Sequence, residues 1–353
     1  MKVLITGGCG FLGSNLTRSF LESGDKLFII DSLIREGSSN NLKWLYSKDK
    51  LKDLHFFNID ISEREKVNEI FKKFGPFDYV CHVAGQVAMT TSIKNPYRDF
   101  TTNALGTVNI LEACRKYSPD AFLAYSSTNK VYGDLEYLIY REDSGRYTIP
   151  KFPNGLNENL QLDFSTPYGC SKGSADQYVK DWSRVFGLKT VVFRHSSIYG
   201  GRQYSSFDQG WIGWFCMQAL KQEKALKYGN PIKPFTVTGN GKQVRDVLHA
   251  NDLVNLYKEI FNFREKVSGE VFNIGGGLSN SLSLLELFNL LQENIQVDKL
   301  NFEFVEKRSS DQKVFIADIS KIKKLIGWEP KINKNDGIVS MLEWSKIILN
   351  KNE

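Results

Sequence analysis

The chain has 353 residues, which is more than a single compact core usually spans, so two lobes are expected. Its 41% hydrophobic and 24% charged residues are typical of a soluble globular protein and exclude the disordered and fibrous classes. The 46 basic and 40 acidic residues leave a formal net charge of +6 without a long basic block, which argues against a nucleic-acid partner and is compatible with an anionic substrate.

The five cysteines are scattered along the chain without CxxC or Cys/His ligand spacing. This arrangement predicts reduced thiols and no metal site. The apolar run in the opening MKVLITGG is too short for a secretory signal, and no apolar run approaches the length of a membrane span. We therefore expect a cytoplasmic protein that has no membrane partner.

Strand-like and helix-like segments alternate through the first part of the chain. Short apolar runs predict strands at 2–6, 27–30, 54–58, 79–83, 121–126 and 190–194. Apolar residues spaced three and four apart predict helices at 11–21, 62–74, 100–117 and 168–186. The alternation predicts an α/β fold whose doubly wound, parallel, Rossmann-type sheet occupies residues 1–194.

The pattern changes after residue 194, where a loop rich in glycine, tyrosine and tryptophan covers 199–214. The segments that follow predict helices at 212–224, 281–295 and 335–350, and strands at 235–238, 244–248, 271–274 and 302–305. These elements predict a smaller α/β lobe over residues 195–353 that binds the substrate. Some of its segments, such as 243–275, are expected to return to the first domain.

A glycine-rich turn, TGGCGFLG at 6–13, joins the first predicted strand to the first predicted helix. Gly7, Gly10 and Gly13 lack side chains, so the backbone can approach a pyrophosphate. Phe11 and Leu12 begin the helix, whose N-terminus favours that negative charge. A tight turn that needs positive φ is the other explanation, and the strand–turn–helix context favours cofactor binding.

Asp31 ends the second predicted strand, where a carboxylate can accept hydrogen bonds from the adenine-ribose hydroxyls and would repel a 2′-phosphate. Asp31 and the adjacent Ser32 therefore predict NAD rather than NADP. Arg35 argues in the other direction because a nearby arginine accommodates a phosphate. A helix or turn cap is the alternative role of Asp31.

Further cofactor contacts are predicted mainly at the carboxyl ends of the later strands, because ligands bind there in open α/β sheets. The predicted residues are Asp60, Ile61, Ala84, Gly85, Gln86, Asn103, Ser126 and His195. For His195 a packed core histidine is the alternative interpretation.

Tyr168 and Lys172 lie four residues apart and therefore share one face of a predicted helix. An ammonium lowers the pKa of a neighbouring phenol and can bind the nicotinamide ribose, so the phenolate can accept a proton from a substrate hydroxyl. Such pairs also occur by chance on helix surfaces. The hydroxyl-rich strand end at 125–128 favours catalysis, since Thr128 can polarise the same substrate oxygen. Thr128, Tyr168 and Lys172 are the predicted catalytic triad.

Three motifs resemble the extended short-chain dehydrogenase/reductase family over nearly the whole chain: TGGCGFLG, SSTNKVYG at 126–133, and Tyr168-x-x-x-Lys172. The resemblance implies bound NAD, and assembly into a homodimer or homotetramer through the helices at 100–117 and 168–186. It also implies a nucleotide-sugar substrate whose diphosphate and ribose contact the second lobe. The implied substrate contacts are Thr128, Ser197, Arg245, Arg308 and Asp311. Surface ion pairs are the other explanation of the two arginines.

Six longer segments are similar to one subgroup of that family, the CDP-sugar 2-epimerases: 84–96, 126–136, 167–178, 193–203, 208–216 and 240–250. The similarity implies inversion at C2 of a CDP-3,6-dideoxyhexose through a transient 2-keto intermediate. A 4-epimerase is excluded only by this similarity. A 4,6-dehydratase is disfavoured because its Asp-Glu pair is replaced here by Asn129 and Lys130. A net oxidoreductase and a non-catalytic binding protein are further alternatives, and the intact Tyr/Lys pair disfavours the latter.

Overall fold

The computed structural model describes residues 1–49, 53–306 and 311–351. Its strands, in chain order, are β1 (Lys2–Thr6), β2 (Lys26–Asp31), β3 (Leu54–Asn58), β4 (Tyr79–His82), β5 (Phe122–Thr128), β6 (Arg141–Glu142), β7 (Tyr147–Thr148), β8 (Lys189–His195), β9 (Ser197–Tyr199), β10 (Phe235–Thr238), β11 (Val244–His249), β12 (Glu270–Ile274), β13 (Ser281–Ser283), β14 (Phe302–Val305) and β15 (Val314–Phe315).

The α-helices are α1 (Phe11–Glu22), α2 (Ser38–Lys48), α3 (Arg64–Phe74), α4 (Met89–Lys94), α5 (Pro96–Phe100), α6 (Gly106–Tyr117), α7 (Thr166–Phe186), α8 (Trp211–Lys227), α9 (Ala250–Glu259), α10 (Arg264–Val267), α11 (Leu284–Asn294), α12 (Ser320–Ile326) and α13 (Lys334–Lys351). A π-helical turn covers Thr101–Leu105, and short 3₁₀ turns cover Asn129–Tyr132, Ile260–Phe263 and Leu278–Asn280.

Seven strands of the described residues form one parallel sheet in the order β3-β2-β1-β4-β5-β8-β12. The predicted doubly wound, parallel α/β fold is therefore confirmed. The strand order reverses at β1, so the connections that leave β1 and β4 diverge. Such a switch point opens a crevice at the carboxyl edge of the sheet, which is where ligands bind in this class of fold.

Alternate residues of the central strands enter two different cores, as the period of two in a strand requires. Val3 and Ile5 pack on the α1 and α9 side of the sheet. Leu4 packs on the opposite side with Ile110 of α6 and Val179 of α7. Burial on both faces explains why these strands read as continuous apolar runs in the sequence.

The remaining strands build the second lobe, apart from the separate β6–β7 hairpin. β11 pairs with β9 and β15 in parallel and with β13 in the antiparallel sense, while β10 pairs with β14. The segment predicted as a strand at 271–274 is β12, which joins the large sheet beside β8. The chain thus returns from the small lobe to complete the Rossmann sheet.

Two predicted helices differ in the structure. The single helix predicted at 100–117 is divided into α5, a π-helical turn and α6. The first residues of the helix predicted at 281–295 form β13 instead, because they pair with β11, and α11 begins after Ser283 with a capping box. None of the helices in the described ranges combines the length and the apolar character needed to cross a membrane.

Candidate active site

A cavity of about 730 Å³ follows the carboxyl ends of the sheet strands and continues into the second lobe. This volume is within the range of small-molecule sites. Its lining includes these predicted site residues: Gly7, Gly10, Phe11, Leu12, Gly13, Asp31, Ser32, Asp60, Ile61, Ala84, Gly85, Gln86, Ser126, Thr128, Tyr168, His195, Ser197, Arg245 and Asp311. Asn103 and Lys172 are buried, with 1% and 4% of their surface exposed, and lie directly behind this lining. Arg308 lies outside the described residues.

The glycine-rich turn leaves no room for side chains. Gly7 has a positive φ of 71°, and a Cβ there would lie 2.8 Å from Cα of Ala84. A Cβ on Gly13 would lie 2.0 Å from the carbonyl oxygen of Gly7. Phe11 and Leu12 begin α1 at the cavity wall, so the positive end of the helix dipole lies there. This arrangement fits the pyrophosphate of a dinucleotide.

Asp31 ties the end of β2 to the glycine-rich turn. One carboxylate oxygen accepts a hydrogen bond from the amide of Cys9 (2.9 Å), and the other accepts one from the amide of Leu33 (2.8 Å). Burial raises the pKa of Asp31, and these hydrogen bonds oppose the rise. Asp31 is therefore a turn cap, and since it also lines the cavity, its contact with ribose hydroxyls remains a prediction. Arg35 lines the same end of the cavity.

The three triad residues meet at the ends of β5 and α7. Burial raises the pKa of the Tyr168 phenol to about 12, and a hydrogen bond with the Thr128 hydroxyl opposes this. Burial lowers the pKa of Lys172 to about 7, while the carboxylates of Asp176 and Asp99 raise it. The spacing of Tyr168 and Lys172 predicts that Lys172 lowers the phenol pKa. In the structure the group that lowers it is Thr128.

The Lys172 ammonium is held from two sides. It donates a hydrogen bond to the carbonyl oxygen of Ser126, and it lies 4.3 Å from the ring centroid of Tyr125. The amine is thus fixed beneath the strand end that carries Thr128. This position explains why it does not line the cavity itself.

The surroundings of His195 are compatible with both of its predicted roles, a packed core histidine and a cofactor contact. It ends β8 in the packed sheet, and its Nδ1 pairs with the Ser126 hydroxyl at 3.1 Å. Burial lowers its pKa to about 3, so the imidazole is neutral near pH 7. Its Nε2 is buried without a hydrogen-bond partner in the described part of the chain. A buried polar atom at a cavity wall needs a partner, and a polar group of a cofactor fits this position.

Asn103 shapes the turn after β4 from behind. Its Oδ1 accepts a hydrogen bond from the amide of Gln86 (2.8 Å), and its Nδ2 donates to the carbonyl oxygen of the same residue (3.0 Å). A Cβ on Gly85 would lie 3.0 Å from that Oδ1. The structure therefore places Asn103 one layer behind the predicted cofactor contacts.

Cationic side chains gather where the cavity enters the second lobe. Arg245 of β11 donates to the carboxylate of Asp311 at 2.7 Å and is largely buried. Lys130 lines the same region, and burial together with the charge of Arg245 lowers its pKa to about 8. Ser197 accepts a hydrogen bond from the Trp211 indole at 3.1 Å. This end of the cavity can bind an anionic group such as a diphosphate.

Two features of the site escaped the sequence analysis. The side chain of Asn129 donates a hydrogen bond to Gln312 (2.9 Å), and Gln312 in turn donates to the carbonyl oxygen of Gly133 (2.6 Å). Gln312, which follows Asp311 in the chain, is thereby anchored to the end of β5. Asp99 is fully buried behind Lys172. Its place four residues before Asn103 on a helix was the available signal, because that spacing puts both side chains on one face.

The fold and the site together indicate the family of proteins to which this chain belongs. Residues 4–341 match the family model described as GDP-mannose 4,6 dehydratase, and the chain belongs to that family. The family is of the extended short-chain dehydrogenase/reductase type, so the resemblance seen in the sequence motifs is confirmed.

Three individual proteins are similar to this chain over nearly its whole length. The chain is 52% identical to the CDP-paratose 2-epimerase of Salmonella typhi over 348 residues, which covers 99% of this chain and 100% of the relative. The solved UDP-glucose 4-epimerase of Thermotoga maritima with UDP-glucose is 28% identical with a TM-score of 0.82, covering 99% and 100% of the two chains. The UDP-glucuronic acid 4-epimerase of Bacillus cereus, solved with UDP-glucuronic acid and NAD, is 25% identical with a TM-score of 0.79 at the same coverage.

Proposed function

We propose that this chain is an NAD-dependent nucleotide-sugar 2-epimerase that inverts C2 of a CDP-3,6-dideoxyhexose, interconverting CDP-paratose and CDP-tyvelose. The observation that carries the proposal is the 52% identity, over essentially the full length of both chains, to the CDP-paratose 2-epimerase of Salmonella typhi. The triad geometry supports an enzyme rather than a binding protein, because Thr128 and Tyr168 face a cavity large enough for ligands.

The residues that would hold NAD are those of the glycine-rich turn, Asp31, the 84–86 turn, Ser126 and His195. When bound, NAD supplies a hydride acceptor and donor, and a positive charge that favours the phenolate of Tyr168. Asp31 repels a 2′-phosphate and so favours NAD over NADP.

In the proposed mechanism Tyr168 moves the proton of the C2 hydroxyl. Its phenolate accepts that proton as C2 is oxidised, and the phenol returns it when C2 is reduced. Thr128 holds the phenol by a hydrogen bond and is close enough to contact the same sugar oxygen. The intermediate is a 2-keto sugar, which must rotate within the cavity so that C2 is reduced from the opposite face. Arg245 anchors the diphosphate during this rotation.

Dehydration is disfavoured by two residues at the end of β5. Asn129 has an amide without a titratable proton, and it is held by Gln312. Lys130 is a cation where an elimination would use a carboxylic acid. A 4-epimerase is the alternative that the solved neighbours of that activity keep open, since it requires only a different pose of the sugar above the same triad.

The deciding experiment incubates the purified chain with a panel of CDP-, UDP- and GDP-sugars and reads the configuration at C2 and C4 by NMR. Inversion at C2 of the CDP-3,6-dideoxyhexose, and of no other sugar, is the expected result. Inversion at C4, or a preference for a UDP-sugar, would contradict the proposal.

We also propose a homodimer or homotetramer that associates through the α5–α7 face. Apolar side chains are exposed there: Phe100, Leu105, Tyr178, Val185 and Phe186. Contiguous exposed apolar surface is typical of protein interfaces. Location in the cytoplasm remains a prediction.

A further inference from the structure

A buried carboxylate with no role in the proposed mechanism lies behind the triad. Asp99, in α5, has 0% of its surface exposed. One of its oxygens accepts a hydrogen bond from the side-chain amide of Gln86 (2.8 Å), and the other accepts one from the Ser171 hydroxyl. Asn103 approaches the first oxygen at 3.4 Å and donates to the Ser171 hydroxyl at 3.0 Å. Burial raises the pKa of Asp99, and the hydrogen bonds from Ser171 and Gln86, together with the charge of Lys172, oppose that rise and stabilise the carboxylate.

The network connects the cofactor turn to the catalytic helix. Gln86 belongs to the turn after β4, and Ser171 immediately precedes Lys172 in α7. A Cβ on Gly85 would lie 3.7 Å from the Lys172 ammonium, which shows how closely the turn and the amine approach. The chain between Asp99 and Asn103 enters a π-helical turn, a distortion that occurs frequently at functional sites.

Two carboxylates act on Lys172, and they are not equivalent. Asp176 is engaged by the Arg194 guanidinium through two hydrogen bonds of 2.9 and 2.8 Å. The hydrogen-bond partners of Asp99 are all neutral. Both carboxylates raise the pKa of Lys172, and Asp176 raises it more than Asp99 does. Asp176 already has a cationic partner of its own in Arg194, whereas the hydrogen-bond partners of Asp99 carry no charge.

In the described part of the chain, the histidines and tyrosines around Lys172 are neutral near pH 7. Burial raises the pKa of Tyr125, whose ring centroid lies 4.3 Å from the ammonium, well above its usual value. Burial and the charge of Lys172 lower the pKa of His82 and of His195 to about 3. Tyr168, one turn earlier on α7, is a phenol whose pKa burial raises to about 12. Among the residues that the structure describes, Asp99 is thus a buried carboxylate near Lys172 whose hydrogen-bond partners are all neutral.

We propose that Asp99 is a positioning residue that keeps Lys172 protonated during catalysis. The proposal rests on the proposed function only in assigning Lys172 to the triad. Burial lowers the pKa of Lys172 to about 7 even though the charges of Asp176 and Asp99 both raise it. Without the charge of Asp99 the pKa would fall further, and most of the amine would be neutral at physiological pH. A neutral amine would lose the charge with which Lys172, in its predicted triad role, binds the nicotinamide ribose.

The test compares Asp99→Asn with Ser171→Ala in the holoenzyme. Asp99→Asn keeps the size of the side chain and removes its charge, while Ser171→Ala removes a hydrogen bond of the same network and leaves the charge. Removing the carboxylate lowers the pKa of Lys172, and the protonated form is the active one. We therefore expect the alkaline limb of the pH–rate profile to move about one pH unit lower in Asp99→Asn, and to stay in place in Ser171→Ala.

An unchanged limb in Asp99→Asn, or an equal shift in Ser171→Ala, would overturn the proposal. Asp99→Ser removes the charge with less volume and replaces Asp99→Asn if that variant does not fold. Direct NMR titration of side-chain-labelled Lys172 requires no turnover. Its pKa must fall in the Asp99 variants even if the wild-type chain epimerises none of the sugars, an outcome that would sink the proposed function and leave this inference standing.

Discussion

At the scale of single residues, the proposed mechanism gives the proton-transfer role to Tyr168. The hydroxyl of Tyr168 is paired with Thr128. Its ring lines the cavity wall, so Tyr168→Phe leaves the packing intact and removes only the proton carrier. We expect turnover to fall by about 100-fold or more while NAD stays bound, since a positioned acid or base typically contributes about 10²–10⁴-fold. Tyr228→Phe, at an exposed tyrosine just after α8 and away from the cavity, is the control and retains activity. A Tyr168→Phe variant with near wild-type turnover would contradict the mechanism.

Arg245 has the proposed role of anchoring the diphosphate in the second lobe. Its guanidinium is paired with Asp311 and largely buried, which makes a charge-assisted contact to a diphosphate strong. Arg245→Ala is expected to weaken CDP binding by about 1.5–3 kcal/mol, read by calorimetric titration, without loss of NAD. Arg245→Lys retains the charge and recovers part of the affinity. If CDP binds Arg245→Ala with wild-type affinity, Arg245 is a structural residue.

The sequence predicted the triad because its members are marked by short spacings: Tyr168 and Lys172 by four residues, and Thr128 by its place at a strand end. Asp99 and Ser171 meet across 72 residues of chain. A contact at that separation depends on how α5 packs against α7, which periodicity does not encode. The pairing of Asn129 with Gln312 also joins distant parts of the chain, so the sequence does not predict it either.

At the scale of elements, the glycine-rich turn gives a sharp test of cofactor binding. In Gly13→Ala the new Cβ would lie 2.0 Å from the Gly7 carbonyl oxygen, so the turn must open and the dinucleotide site is lost. We expect wild-type chain to purify with NAD and Gly13→Ala to purify without it, measured by chromatography of the nucleotide released on denaturation. Gly145→Ala, where a Cβ meets nothing within 4 Å, is the control. NADP as the main released species would remove Asp31 from its assigned role.

The junction between α7 and the sheet depends on one buried ion pair. Asp176 of α7 pairs with Arg194 of β8 and also accepts a hydrogen bond from Ser127 at 2.7 Å. Arg194→Met leaves that carboxylate buried and unpaired, so we expect the free energy of unfolding to fall by about 3–5 kcal/mol in urea titrations. Combining Arg194→Met with Asp176→Leu removes both charges and should recover much of the loss. Equal destabilisation in the single and double variants would argue against an electrostatic origin.

Several of the elements that the sequence missed are short or distorted, and two helices of ordinary length, α2 and α9, were missed as well. β9, β13 and β15 have two or three residues each, too few to show a period of two. The π-helical turn follows α5 directly and is followed directly by α6, so the whole stretch reads as one helix in the sequence. Long strands buried on both faces were predicted with near-correct ends, because their apolar runs have sharp limits.

At the scale of the whole molecule, the order of the elements along the chain did not predict how they are arranged in space. Strand order, the return of β12 to the large sheet and the meeting of the two lobes depend on tertiary packing. The cavity is built from both lobes: β5 brings Thr128 to it, and β11 brings Arg245. Chemistry and anchoring are thereby assigned to different parts of the molecule.

This division predicts the fate of the hydrogen at C2. The sugar must present its opposite face for reduction while the diphosphate stays near Arg245, so the keto sugar rotates without leaving the cavity. Because the hydrogen travels as hydride within the site and Tyr168 exchanges only the proton on oxygen, deuterium placed at C2 should be retained in the epimerised product, and solvent deuterium should not enter at C2. NMR and mass spectrometry of the product read both quantities. Loss of the C2 label to water would indicate an enolate mechanism, and transient oxidation with Tyr168 as its proton carrier would then be wrong.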